Sequence, residues 1–147
     1  MQSLRLKVET NTKEHFSVLG IQKFPFTVDS SWFSGTCFIT TYKIEELLGT
    51  KLRALYQRKK GRDLYDMYIA LMQLKDLNLD EIIHCYKEYM NFSAGTSPTQ
   101  KQYILNMAEK MTDTEFLGDI TALIRPGAKY DLSLAYELVS KSLIEKI

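Results

Sequence analysis

An α+β fold, with a strand-bearing N-terminal third and a helical remainder, is predicted by three features of this chain. "SLRLKVETN" sets Leu4, Leu6 and Val8 against Arg5, Lys7 and Glu9, the period-2 alternation of a half-buried strand. "FPFTV" and "TCFITT" lie on either side of the polar turn "DSSWFSG" and read as two further β segments. From about Lys43 the apolar spacing changes to the helical period and keeps it to the C-terminus. The expected division is a sheet portion over 1–42 and a helical domain over 43–147.

Taken in order, the first helix is expected over "KIEELLGTKLRALYQRKK", stopped near Gly61 by a glycine C-cap. A second begins at Arg62 or Asp63 and runs to about Leu74. "NLDEIIHCYKEYMNF" is a third, capped by Asn78 or Asp80, and the loop "SAGTSP" follows it. "TQKQYILNMAEKM", "DTEFLGDITALI" and "DLSLAYELVSKSLIEKI" read as three more helices, the last preceded by the breaker "RPGAKYD". No internal repeat or low-complexity tract interrupts them.

With 147 residues the chain suffices for one domain with a core, or for half of a larger one. A net charge of +1 argues against a broad nucleic-acid surface, so any basic site must be local. "MQSLRLKVET" lacks the apolar stretch of a signal peptide, and no apolar run approaches the roughly 20 residues of a membrane helix. A cytoplasmic, membrane-free protein is expected. Cys37 and Cys85 have no metal-ligand spacing, so zinc is unsupported and both thiols are expected to be buried. His15 and His84 are equally isolated and are assigned core or surface roles. Trp32, Phe33, Tyr42 and Tyr56 have faces on which bases could stack, yet in a helical chain with nine tyrosines they are expected to pack as core and rim.

The chemistry concentrates in "KLRALYQRKKGRDLYDMY", which gathers six cations in its first twelve residues and then places Asp63 and Asp66. At about 100° per residue, Lys51 and Arg58 fall within about 40° of Ile44, inside the apolar arc with Leu48 and Leu55. Arg53, Glu46 and Gln57 fall on the far side, and Arg53 is expected to be solvated. A charge on a packed face is costly unless it is paired or serves a polar cleft. Two readings remain open: an ion pair with Asp63, Asp66 or Glu9, or a cleft in which Lys51 and Arg58 hold phosphate groups. Arg62 and Asp66 have i,i+4 spacing suited to a surface pair, and Asp63 suits a helix N-terminus.

"EELLGTKLRALYQRKKGRDLYDMY" resembles a segment of AbiEii/AbiGii-type nucleotidyltransferase toxins, which reads approximately E-E, K-L-x-A-L-x-x-R and then R-D-x-x-D. "LKVETN" and "FLGDITAL" resemble further stretches of that family, so the likeness extends over essentially the whole chain. It implies a polymerase-β-like nucleotidyltransferase fold: a small mixed sheet followed by a helical bundle. It also implies transfer of a nucleotide from a nucleoside triphosphate, with magnesium held by carboxylates. The implied acceptor is a tRNA end or a protein hydroxyl, and the implied partner is an antitoxin protein, in phage defence by abortive infection or in growth control. Residue by residue, the resemblance makes Glu9 a metal carboxylate, and Lys51 and Asp66 catalytic residues. Lys51, Arg58 and Arg62 become nucleotide-binding, with Asp63 in support.

The family pattern opens with a Gly-Gly or Gly-Ser turn and an Asp-x-Asp strand, neither of which occurs in these 147 residues. Glu9 alone does not suffice for two magnesium ions. The chain is thus expected to be the C-terminal part of such an enzyme, inactive alone and needing magnesium only with a further half. The alternatives are a non-catalytic module binding an antitoxin-like protein or RNA, and an unrelated helical scaffold with a solvated basic corner. A free strand edge near Leu4 is expected to invite a homodimer.

Overall fold

The structure, a computed structural model, describes residues 8, 14–121, 123–125, 127 and 129–147. Glu9, the strand expected over "SLRLKVETN" and its proposed dimer edge therefore lie outside the described residues, apart from Val8. Two strands, β1 (Ile21–Asp29) and β2 (Ser34–Tyr42), precede six helices. These are α1 (Ile44–Gln57), α2 (Gly61–Gln73), α3 (Leu79–Ala94), α4 (Gln100–Lys110), α5 (Thr114–Gly118) and α6 (Leu132–Ser142), followed by a 3₁₀ turn over Ile144–Lys146. The α+β class expected from the sequence is the class observed.

β1 and β2 pair antiparallel from Ile21↔Tyr42 to Asp29↔Ser34. This register puts Phe24, Phe26, Val28, Cys37 and Ile39 on one face, with Lys23, Thr27, Thr36 and Thr40 on the other. The turn closes where Ser30 N donates to the Phe33 carbonyl at 2.9 Å. A Cβ at Gly35 would lie 2.9 Å from Phe33 Cζ, so glycine lets that ring fold back over the hairpin. Cys37 is exposed here, which corrects its expected burial, whereas Cys85 is buried. Trp32 also departs from the core-and-rim expectation, standing 85% exposed at the turn.

The helices share one core, built from Leu48, Leu52 and Leu55 of α1, Leu64 and Met67 of α2, Ile82 and Tyr86 of α3, Met107 of α4, Phe116 of α5 and Val139 of α6. Helix α1 lies close on α3, because a Cβ at Gly49 would be 2.6 Å from that of Cys85. Side-chain caps set most starts. Asn78 accepts from Glu81 N, Asp113 from Glu115 N and Phe116 N, and Asp131 from Ser133 N and Leu134 N. Thr99 and Gln102 complete a reciprocal capping box.

Three expectations are corrected. Gly61 does not stop α1; it opens α2, while α1 ends at Gln57. The reason is a close approach: a Cβ at Gly61 would be 2.3 Å from the Phe116 carbonyl oxygen. The helix expected over "DTEFLGDITALI" closes at Gly118, and residues 119–121 continue as turns. Arg53 is not solvated. Residues 14–19 cross the outer face of α1, where Arg53 pairs with Glu14 and lies 5.3 Å from the Tyr89 ring centroid.

Glu46 is fully buried under the same crossing. It accepts from Ser17 Oγ at 2.9 Å, Val18 N at 2.8 Å, Leu19 N at 2.9 Å and Tyr89 Oη at 2.7 Å. Burial pushes this carboxyl up, but the four donors together hold it below its ordinary value.

Candidate functional site

The turn from α1 into α2 brings four of the singled-out side chains together. Helix α1 delivers Lys51 from its third turn, and Arg58 leaves its C-terminus in an extended conformation. Helix α2 supplies Asp63 from its first turn, where the helix dipole favours an acid, and Asp66 one turn later. Asp63 has no exposed side-chain surface. Its Oδ2 accepts from Arg58 Nε at 2.6 Å and its Oδ1 from Arg58 Nη2 at 2.7 Å, a bidentate fork. Lys51 Nζ bridges the two acids, 3.3 Å from Asp63 Oδ1 and 2.8 Å from Asp66 Oδ2. The hydrogen bond to Asp63, above the other contributions, raises Arg58 beyond its ordinary range and outweighs the effect of burial.

Exposure separates the roles within this cluster. The side chains of Arg58, Asp66 and Lys51 are 50%, 48% and 30% exposed, against 0% for Asp63. Asp63 is the internal anchor, with both oxygens engaged. Arg58 and Lys51 keep N–H donors beyond those that the acids take, and Asp66 is a reachable carboxylate already bonded to the lysine. Two cations face two acids, so an incoming anion competes with those acids for the cations.

Arg62 belongs to a neighbouring ionic group. Its Nη1 lies 3.4 Å from Asp119 Oδ1, and its backbone N donates to Asp119 Oδ2 at 3.2 Å. The i,i+4 pair with Asp66 gives way to these contacts, because Asp119 lies against the start of α2 and Asp66 is taken by Lys51. Lys60 reaches Glu115 at 2.8 Å, and Lys59 reaches Asp113 at 2.9 Å. Apart from Arg53, which pairs with Glu14, the cations of "KLRALYQRKKGR" are thus divided between an inner pair on α1–α2 and an outer row against α5. Asp119 was not singled out as a site residue, although it sits inside "FLGDITAL"; spacing along the chain cannot pair it with Arg62, 57 positions away.

Glu9 lies outside the described residues, so the geometry bears on only part of the expected carboxylate set. Among the described residues no group of three His, Cys, Asp or Glu side chains is placed to hold a metal ion. Asp63 is saturated by cations and Asp66 is bonded to Lys51, so these two acids do not fit magnesium. A groove of about 450 Å³ opens elsewhere, between the hairpin and the helices, lined by Phe24, Tyr42, Ile44, Leu47, Leu74 and Leu77. Its walls are mainly apolar and carry none of the clustered cations.

The family model of the nucleotidyl transferase AbiEii toxin of type IV toxin–antitoxin systems matches residues 1–134, and the chain belongs to that family. No curated protein and no solved structure matches the chain. Among the described residues no helix is long and apolar enough to cross a membrane.

Proposed function

We propose that the α1–α2 corner is the triphosphate-binding side of a nucleotidyltransferase toxin. The observation that carries this reading is Lys51, held between a wholly buried acid and a half-exposed one. Arg58 and Lys51 are preoriented by Asp63, so their loss of freedom on meeting an anion is small. When a nucleoside triphosphate enters, a phosphate oxygen replaces Asp66 on Lys51. Asp66, released from its cation, becomes free to accept the proton of an acceptor hydroxyl. That oxygen, on RNA or on a protein, attacks the α-phosphorus. Its bond to phosphorus forms as the bond to the bridging oxygen of the β-phosphate breaks, and pyrophosphate departs. Arg58 and Lys51 neutralise charge on the phosphates during the displacement.

The metal carboxylates are outside this corner. In our reading a Gly-turn and Asp-x-Asp segment outside these 147 residues would hold magnesium, and nucleotide transfer requires it. An antitoxin protein is the expected regulatory partner, and the cytoplasm is the compartment in which such a pair would act. A second reading is favoured by the charge balance of the corner: a non-catalytic module that binds an antitoxin-like protein or RNA through the outer row Lys59, Lys60 and Arg62.

Calorimetric titration of each nucleoside triphosphate, with and without magnesium, into the wild type, Lys51→Ala and Arg58→Ala separates the two. Saturable binding to the wild type that both substitutions weaken at least tenfold, about 1.4 kcal/mol or more, is the expected result. Binding unaffected by either substitution, or none at millimolar nucleotide, would leave the second reading.

A further inference from the structure

The last carbonyls of a helix have no partner within it. At the end of α1, Ala54 O accepts from Arg58 N at 3.0 Å. The next two carbonyls, Leu55 and Tyr56, accept from one side chain, the ammonium of Lys110 on α4, the latter at 2.6 Å. One turn earlier the Leu52 carbonyl accepts from Tyr103 Oη at 2.8 Å. Lys110 is 3% exposed and Tyr103 is fully buried. An ammonium so enclosed, with neutral carbonyls as its acceptors, opposes folding more than an apolar side chain of similar volume would. What it provides is local: a charged donor against the negative end of the α1 dipole.

Arg58 is where that local effect leads. It follows the capped turn directly, turns out of the helix with φ −128° and ψ 158°, and reaches forward to Asp63. Its own backbone N takes the Ala54 carbonyl, next to the two carbonyls that Lys110 takes. We propose that Lys110 is a positioning residue for the phosphate-binding corner: by capping α1 from α4 it sets the Arg58–Asp63 fork, and through the shared Asp63 the place of Lys51. The proposal rests on the preceding reading of the corner for its functional meaning, whereas its geometric content is testable without nucleotide.

Lys110 also makes the arrangement sensitive to pH. Burial lowers its ammonium to about 8. Asp63 on α2 acts in the opposite direction, Lys59 in the α1–α2 connection acts in the same direction, and the Tyr56 ring of α1 lies 6.0 Å away. Above that pH the cap loses its charge. A merely structural lysine would loosen the corner only by destabilising the whole fold. Here the two effects run oppositely, because folding no longer has to bury a charge.

The test is NMR of the Arg58 Nε–H proton in the arginine-labelled chain, assigned with Arg58→Lys. It is read in the wild type, Lys110→Met, Lys110→Arg and Met107→Ala, the last a buried neighbour on α4 without a hydrogen bond to α1. We expect protection of this proton from solvent exchange to fall about tenfold in Lys110→Met. Lys110→Arg should retain most of it, and Met107→Ala all of it. Unchanged protection in Lys110→Met would overturn the proposal, as would an equal loss in Met107→Ala. If Lys110→Met does not fold, the wild type is titrated from about pH 7 to about 9.5. The Arg58 signal should then shift with the Lys110 midpoint, near 8, while urea stability rises. A signal that stays flat through the Lys110 titration would overturn the proposal as well. Neither readout uses nucleotide, so a wild-type chain that binds no triphosphate would refute the proposed function and leave this result standing.

Discussion

Asp63 and Asp66 are three positions apart on one helix, yet their environments assign them different work. Both Asp63 oxygens are used inside the fold, while Asp66 holds one lysine at the surface. Replacing Asp63 by Asn removes the charge that two cations share. We expect a loss of about 1–3 kcal/mol, below the value for a fully buried pair because Arg58 is half exposed. Asp66→Asn should cost no more than about 0.5 kcal/mol. Urea denaturation at neutral pH measures both, and equal losses would contradict the division into anchor and exposed acid.

Glu46 makes a second prediction at the residue scale. Its folded pKa lies below the ordinary 4.5. Its contribution is therefore present above that pH and is lost as pH falls through the lowered folded value. Glu46→Gln should flatten the acid limb of the stability curve below about pH 5. An acid limb identical to that of the wild type would show that the four donors do not favour the ionised form.

Among the elements, the connection between α1 and α2 depends on backbone proximity. Gly61 is required where α2 meets the Phe116 carbonyl, and Gly49 where α1 meets α3. Gly61→Ala should destabilise by about 1–3 kcal/mol despite the better helix propensity of alanine, because the added methyl must move a carbonyl. Thermal unfolding decides the sign, and a stabilised Gly61→Ala would mean that α5 yields freely. Helix α4 depends on its capping box, so Thr99→Ala should cost about 1 kcal/mol.

For the whole molecule, stability above neutral pH is governed by groups that the core has shifted. Lys110 is lowered from 10.5 to about 8. Between these values the unfolded chain binds the extra proton, so stability rises with pH there, by up to about 3 kcal/mol. Tyr86 and Tyr130 are pushed up to about 12 by burial, and Tyr103 well above its ordinary value. Their contribution has the opposite sign and is lost as pH rises past about 10. Urea midpoints should consequently peak near pH 9–10, and Lys110→Met should remove the rise on the neutral side. A wild-type profile falling steadily from pH 7 would contradict this balance.

Helix positions, the hairpin and the inner placement of Lys51 were legible in the sequence, because periodicity and caps are local properties. The pairing of Arg58 with Asp63 also lies within reach of five positions. The errors share one cause. A helical wheel treats one helix as though its outer face met only water, so it assigned Arg53 to solvent, where Glu14 in fact pairs with it. A glycine after a basic run reads as a stop until the Phe116 carbonyl is seen against it. By itself the sequence determined the α+β class, the family and the corner that carries the charges, since each follows from residue type and short spacing. Only the tertiary structure decided that Asp63 is the anchor, that Arg62 turns to Asp119 and that Lys110 closes α1. Those contacts join positions up to 57 apart, and burial, which sets their electrostatics, exists only once the chain has packed.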